Sequence, residues 1–330
     1  MGEQKKKFEE KVTVSIICTA YNQEDYIADT IESFLMQITN FKYEIIIHDD
    51  ASTDKTPDII REYEEKFPNI IRTICQKENQ YSKNVNIFED FMFPIARGEY
   101  LAICEGDDYW IDPYKLQKQI DALNKHLECD VCSHTASMVR ADNKKEISKI
   151  MPSDKNTIFN VDEVIRGDGA FVATNSLVFR KSVFDLRTPS FRKVYRIDYS
   201  LQIMGALRGG MIYLVDCMSA YRVYAKSSWS SRMRDDQEAC IRHYNKMINM
   251  LKVLDQETYG KYTEAIRNRI KWQEFQILSV KNQYRKMLAK DYRDIFVKLA
   301  ISDRLKIYIK ILLPWSIKLN EWRKKHVKQK

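Results

Sequence analysis

The sequence predicts a mixed α/β protein whose mostly parallel sheet lies between helices, followed by an α-helical C-terminal extension. Three observations carry this expectation. Short continuous apolar runs at residues 12–18, 43–47, 70–75 and 100–104 alternate with amphipathic segments of helical spacing, the pattern of strands buried on both faces and joined by helical crossovers. Only 9 glycines occur in 330 residues, where average usage of roughly 7% would give about 23, which excludes collagen-like and glycine-rich linker architectures. From about residue 231 onward the periodicity is almost entirely helical.

Each element follows from local chemistry. Residues 12–18 are β-branched and apolar, and the next segment repeats Ile27, Ile31, Phe34 and Leu35 at helical spacing. A second strand at 43–47 leads to a helix from about Pro57, with Thr56 as its expected cap and proline at the first position. Residues 70–75 read as a third strand, 85–96 as a helix and 100–104 as a fourth strand. Asp112-Pro113 opens a further helix through Leu116, Ile120 and Leu123. Beyond residue 139 the pattern loosens into short strands, including 171–180 and 211–215. The expected organisation is an N-terminal extension over 1–11, a catalytic domain over 12–230 and a helical region over 231–330.

Composition narrows the function classes. Charged residues at 30% and aromatics at 12% exclude a disordered or low-complexity chain. Seven cysteines and a charged start without an apolar core segment predict a reduced, cytoplasmic protein with free thiols. The net charge of +8 is concentrated in residues 301–330, which hold nine Lys or Arg and two acids. The body is therefore close to neutral, and nucleic acid is not an expected partner.

Three strand ends gather polar groups: Thr19-Ala20-Tyr21-Asn22, His48-Asp49-Asp50-Ala51-Ser52 and Glu105-Gly106-Asp107-Asp108. In parallel sheets ligands bind beyond the carboxyl ends of the strands. The turn after the first strand has no glycine, and no Walker lysine loop is present, so a dinucleotide fold of the dehydrogenase kind and a P-loop are excluded. A diphosphate at this edge needs another counter-charge, which a carboxylate-held divalent metal supplies.

These segments, with Gly98-Glu-Tyr-Leu-Ala-Ile-Cys-Glu-Gly-Asp-Asp-Tyr-Trp110 and Tyr221-Arg-Val-Tyr224, resemble the family 2 glycosyltransferases, inverting nucleotide-sugar enzymes of the GT-A fold. The likeness runs in order over residues 12–230. It implies a Rossmann-like, mostly parallel sheet, a nucleotide-sugar donor (a UDP-sugar foremost), Mg²⁺ or Mn²⁺ as cofactor, and a glycan or lipid-linked acceptor in bacterial surface-polysaccharide assembly. Carried over by position, Asp50 accepts the imide N–H of a uracil or thymine base, Thr19 and Tyr21 contact base and ribose, and Lys83 borders that pocket. Asp107 takes the sugar or ribose side and Asp108 the metal. Asp198, at an expected helix start, is the catalytic base, with Asp185 and Asp216 as rivals. Trp110, Arg222 and Tyr224 are candidates for the diphosphate or acceptor. Many relatives carry His where Tyr224 stands, and a neutral phenol is a weaker metal ligand.

The tail adds a separate expectation. Leu305, Tyr308, Ile309, Leu312, Leu319 and Trp322 recur at helical spacing beside Lys306, Lys310, Lys318 and Arg323-Lys-Lys325. Such a helix suits an anionic membrane surface, which would make the enzyme peripheral on the inner face of the cell membrane. The rival is a helix packed on protein. A non-catalytic nucleotide-sugar or anionic-surface binding module would not need Asp50, Asp108 and Asp198 together, and a glycosidase would not need a base-reading Asp50. Cys129-x-x-Cys132 with His134 lacks the second pair a zinc site requires.

Overall fold

The computed structural model describes residues 11–83, 85–185, 188, 190, 198–225 and 236–315. The chain divides into two compact units, Met1–Arg232 and Met233–Lys330.

The first unit is a mixed α/β fold around one sheet. Its strands are β1 (Val12–Ala20), β2 (Lys42–Asp49), β3 (Ile71–Cys75), β4 (Tyr100–Glu105), β5 (Tyr109–Trp110), β6 (Val131–Arg140), β7 (Glu146–Ile150), β8 (Thr157–Phe159), β9 (Val178–Arg180) and β10 (Met211–Val223). The order is β3-β2-β1-β4-β9-β6-β10-β5, with β7 on β6 and β8 on β10. The first four are mutually parallel, β9 runs antiparallel between β4 and β6, and β10 is parallel to β6. Ile16 and Cys18 bury one face of β1 while Ile17 buries the other, which is why these strands read as continuous apolar runs. Helix α1 (Ile27–Leu35) lays Ile27, Ile31 and Phe34 on that core, and α3 (Lys115–Lys125) adds Leu116, Ile120 and Leu123.

Chain order reverses at β1, because β2 and β3 lie on one side of it and β4 on the other. The crevice outside the carboxyl ends of β1 and β4 is therefore a topological switch point, where ligands of open α/β sheets bind.

Several sequence expectations need correction. The helix expected over 85–96 shrinks to one wide turn, Phe88–Met92, because Pro94 has no N–H to continue it. The strand expected over 171–180 survives only as β9; Thr174–Ser176 forms a tight turn. Ser176 Oγ–H donates to the Ala173 carbonyl at 2.6 Å, the local bonding by which such residues compete with strand. Helix α2 (Thr56–Lys66) does carry proline at its start, but Thr56 is not its cap. Its hydroxyl instead accepts the Gln23 N–H at 2.8 Å. Asp112 accepts the Tyr114 N–H at 2.8 Å ahead of α3.

Among the described residues the first unit adds the helices α4 (Val161–Gly167) and α5 (Asp198–Ala206). The second unit holds α6 (Gln237–Glu257), α7 (Thr263–Val280), α8 (Arg293–Lys298) and α9 (Ile301–Leu312). Phe275, Tyr284, Met287, Ile295, Phe296 and Ile307 form a small core there. Helix α9 thus buries Ile307, while Leu305, Tyr308, Ile309 and Leu312 are exposed. The predicted continuation through Leu319 and Trp322 lies outside the described residues. No described helix is long and apolar enough to cross a membrane.

Candidate active site

The Glu105-Gly106-Asp107-Asp108 turn sits at the switch point and is tied to several elements of the fold. Its start is held to β1, where Gly106 N–H donates to the Thr19 carbonyl at 2.9 Å. From α1, the Thr30 hydroxyl reaches the carbonyls of Gly106 at 2.9 Å and Asp108 at 2.6 Å. A Cβ at position 106 would stand 2.4 Å from Gln23 Oε1 and 2.9 Å from Ile27 Cδ1, so the turn requires glycine.

Asp108 is 1% exposed. Its Oδ1 accepts the Arg222 N–H at 2.8 Å and its Oδ2 accepts Asn175 Nδ2 at 2.9 Å. Asp107, beside it, is only partly buried. Its carbonyl accepts Arg222 Nη1 at 2.8 Å, and among the described residues only its own amide donates to its carboxylate.

Four carboxyls gather at this edge. Burial raises the pKa of Glu105, Asp107, Asp108 and Asp198. The charges of Asp198, Asp107 and Asp108 raise Glu105 further, and Asp107 raises Asp108. Arg222 opposes the rise at Asp107 and Asp108. Tyr221, next to Arg222 on β10, has its phenol pushed up by burial and then by all four acids. Among the described residues, four carboxyls face one guanidinium in a desolvated place, a surplus of acidic groups that a divalent cation would neutralise. Among the described residues no three His, Cys, Asp or Glu converge into a metal cage. A magnesium-type ion does not need one, since it takes one or two carboxylates and completes its shell with phosphate and water.

Of the three candidates for the base, Asp198 is the one that joins this group. It opens α5, where burial raises its pKa and the Thr174 side chain opposes the rise. Asp216 pairs with Lys118 at 2.7 Å, and Asp185 is exposed at the end of the Lys181–Phe184 turn.

The expected base pocket is built from interlocked turns. Asn22 and Ala51 both adopt positive φ, 53° and 61°. Asn22 N–H donates to Ser52 Oγ and Thr53 N–H to Asn22 Oδ1, each at 2.8 Å. Asp50 follows β2 directly and is buried, and its N–H donates to the Ala20 carbonyl at 3.0 Å. Its carboxylate accepts the N–H groups of Gln80 at 2.7 Å and Tyr81 at 3.1 Å. Thr19 and Tyr21 stand partly buried at the end of β1. Lys83 lies in the turn that Asp50 holds, but is exposed and paired with Glu78.

Three candidates for the diphosphate or acceptor are placed otherwise. Trp110 is 1% exposed, packs on Phe34 and donates Nε1–H to the Asn175 carbonyl at 3.0 Å; it is a core residue behind the site. Arg222 is buried, pairs with Asp29 and stacks 4.3 Å from the Tyr109 ring centroid, so its side chain is spent on holding the turn. Tyr224 is exposed at 57% with φ of 64°, and Arg140 lies 5.7 Å from its ring. Cys129 and Cys132 are buried free thiols.

Sequence reasoning assigned no role to Glu105, Asn175 or Tyr221. For Glu105 the signal was present, an acid two residues before an acidic pair at a strand end. Asn175 had none, because its partners Asp108 and Ser219 are 67 and 44 positions away.

Comparison with known proteins agrees with this architecture. An uncharacterized protein of Mycobacterium tuberculosis is 38% identical over 228 residues, 67% of this chain and 62% of its own length. The chain thus spans less than two thirds of that relative. A putative teichuronic acid biosynthesis glycosyltransferase of Bacillus subtilis is 27% identical over 225 residues, covering 68% of this chain and 84% of the relative. Among solved structures, S. aureus TarS (residues 1–349, with UDP-GlcNAc) superposes with a TM-score of 0.55 at 15% identity, covering 89% of this chain and 78% of that one. The fold is accordingly GT-A-like, a curled, mostly parallel sheet with C-terminal helices. The glycosyl transferase family 2 model matches residues 15–188, just over half of the sequence; the chain belongs to glycosyl transferase family 2.

Proposed function

We propose that the protein transfers a sugar, with inversion, from a nucleoside-diphosphate donor (a UDP-sugar foremost) to a hydroxyl of a glycan or lipid-linked acceptor in surface-polysaccharide assembly. The observation that carries the reading is the meeting of Asp198 with Glu105, Asp107 and Asp108 at the switch point, with Asp50 following β2 on the other side of β1. Support for a uridine donor comes from the structural likeness to TarS, which binds UDP-GlcNAc. The teichuronic acid relative supports the pathway class.

In this reading Asp50 receives the imide N–H of the base, beside Thr19 and Tyr21, with Lys83 at the rim. Asp108 already carries two protein N–H donors. It retains lone pairs for Mg²⁺ or Mn²⁺, but the freer Asp107 carboxylate is the better placed to meet the ion, with Asp108 as its inner support. When bound, the ion stabilises negative charge on the leaving diphosphate. Asp198, its basicity raised by burial, takes the proton of the acceptor hydroxyl. That oxygen bonds to the anomeric carbon as the carbon–oxygen bond to the diphosphate breaks. One displacement gives an inverted anomer. The exposed apolar residues of α9, beside Lys306 and Lys310, bring the enzyme to an anionic membrane as a peripheral cytoplasmic protein.

The test is a panel of nucleotide sugars incubated with enzyme and MnCl₂, with release of nucleoside diphosphate as the signal. Release from a UDP-sugar, abolished by EDTA and by Asp198→Asn, is expected. Release that persists in excess EDTA would contradict the metal, and a trapped glycosyl-enzyme the single displacement.

A further inference from the structure

We infer that Asn79 is a positioning residue for base selection. It ties the turn after β3 to Asp50, and that turn holds the Asp50 carboxylate in an orientation that suits a uracil-type imide. The inference rests on the reading of Asp50 given above and adds a residue to it.

The tie runs through both ends of the Asn79 amide. Its Nδ2–H donates to the Asp50 backbone carbonyl at 3.1 Å, across 29 positions of chain. Its Oδ1 accepts the Ser82 N–H at 2.8 Å, and the Asn79 backbone carbonyl accepts Ser82 Oγ–H at 2.8 Å. A carbonyl only accepts and a backbone N–H only donates, so the amide has a single orientation. The turn closes with Lys83 N–H on the Gln80 carbonyl at 3.0 Å. Held this way, it presents two successive backbone amides to Asp50: Gln80 N–H to Oδ1 at 2.7 Å and Tyr81 N–H to Oδ2 at 3.1 Å. One donor on each oxygen fixes the plane of this buried carboxylate. Of its about four lone-pair sites two are taken, and the others can only accept.

That arrangement discriminates between bases. Uracil and thymine offer an N3–H donor between two carbonyls, whereas cytosine offers a bare N3 acceptor beside a 4-amino group. A carboxylate locked by two amides receives N3–H but sets a lone pair against the cytosine N3. A carboxylate free to turn could instead accept from the 4-amino group. Sites built to hydrogen-bond a substrate N–H reject analogues lacking it far more strongly than apolar pockets reject a change of size. Locking Asp50 therefore creates the selectivity, and Asn79 maintains the lock.

Isothermal titration of UDP and of CDP into the full chain, each with MnCl₂, reads the effect as a ratio of affinities, with thermal melts as the check on folding. The wild type should favour UDP over CDP by about tenfold or more. Asn79→Ala should shrink that ratio by at least about threefold, chiefly through lost UDP affinity. A merely structural loosening would weaken both nucleotides alike. If Asn79→Ala does not fold, Asn79→Asp carries the test. It keeps an acceptor for Ser82 N–H and lacks the donor to Asp50, and its added charge acts alike on two ligands of equal charge. A wild-type ratio in the variant used overturns the inference and leaves base reading by Asp50 standing. A wild-type protein that binds UDP and CDP equally, or neither, overturns the reading of Asp50 and this inference with it.

Discussion

The backbone N–H of Arg222 donates to Asp108 Oδ1 at 2.8 Å, joining residues 114 positions apart. The contact seals the end of β10 onto the turn that follows β4. The Arg222 side chain extends the seal to the Asp107 carbonyl and to Asp29. A buried guanidinium used this way is a structural brace.

The two acids of the turn should separate by mutation. Asp108→Asn places an amide N–H₂ against one of two N–H donors, leaving a buried donor unsatisfied at a cost of about 1–3 kcal/mol. Its Tm should fall along with activity. Asp107→Asn meets, among the described residues, no donor beyond its own partly exposed amide, and should keep a wild-type Tm while losing metal-dependent UDP binding. Thermal melts beside titration calorimetry read both effects. Equal Tm values for the two variants would contradict the assignment.

Asp198→Asn should lose about 10²–10⁴-fold in kcat, the usual contribution of a general base. UDP–Mn²⁺ affinity should stay near wild type, because the proposed mechanism gives Asp198 to the acceptor hydroxyl and not to the nucleotide. Turnover within tenfold of wild type would move the base to another residue, with Glu105 the nearest alternative.

Lys115 offers a pH-dependent test of the support behind the site. It is wholly buried, its Nζ lies 3.9 Å from the Trp110 ring centroid with no hydrogen-bond partner among the described residues, and burial holds its pKa down to about 7. Below pH 7 both folded and unfolded forms carry the proton, and the folded state bears the full cost of a buried charge. Between pH 7 and the ordinary lysine value of 10.5 the unfolded chain binds more protons, so stability rises with pH across that window. Lys115→Met keeps the volume and removes the charge. It should raise Tm by a few degrees at pH 6, about 2–4 °C per kcal/mol for a unit of this size, and by less at pH 9.5. A gain independent of pH would contradict the burial argument.

The membrane expectation is best probed on α9 by point changes, since Ile307 belongs to the core of its unit and deletion would open that core. Leu305→Glu with Ile309→Glu alters exposed positions only. The double variant should abolish sedimentation with phosphatidylserine-containing vesicles and leave UDP binding intact. Raising salt should weaken wild-type sedimentation, because screening shortens the reach of the lysines. Wild-type protein that fails to sediment at low salt would make α9 purely structural.

The parallel strands and the polar strand ends were legible because both are local signals. Apolar runs of three and four residues mark Ile45–Ile47 and Leu101–Cys104, and adjacent acids mark Asp107 and Asp108. What long-range packing decides was not legible. Thr56 looks like a cap in sequence, yet its hydroxyl serves Gln23 from a neighbouring turn. Trp110 follows the acidic pair and reads as a ligand contact, yet strand alternation turns it inward onto Phe34. Asn175 lay in what reads as a strand, and only its partners reveal its use.

The measurement closest to the central claim is calorimetric titration of UDP into the full chain with Mn²⁺ and again in EDTA, alongside Asp50→Ala. The account predicts binding in Mn²⁺ that weakens at least ~10-fold without metal and is lost in Asp50→Ala with the protein still folded. UDP affinity unchanged by either EDTA or Asp50→Ala would contradict a nucleotide held between Asp50 and the Asp107-Asp108 turn.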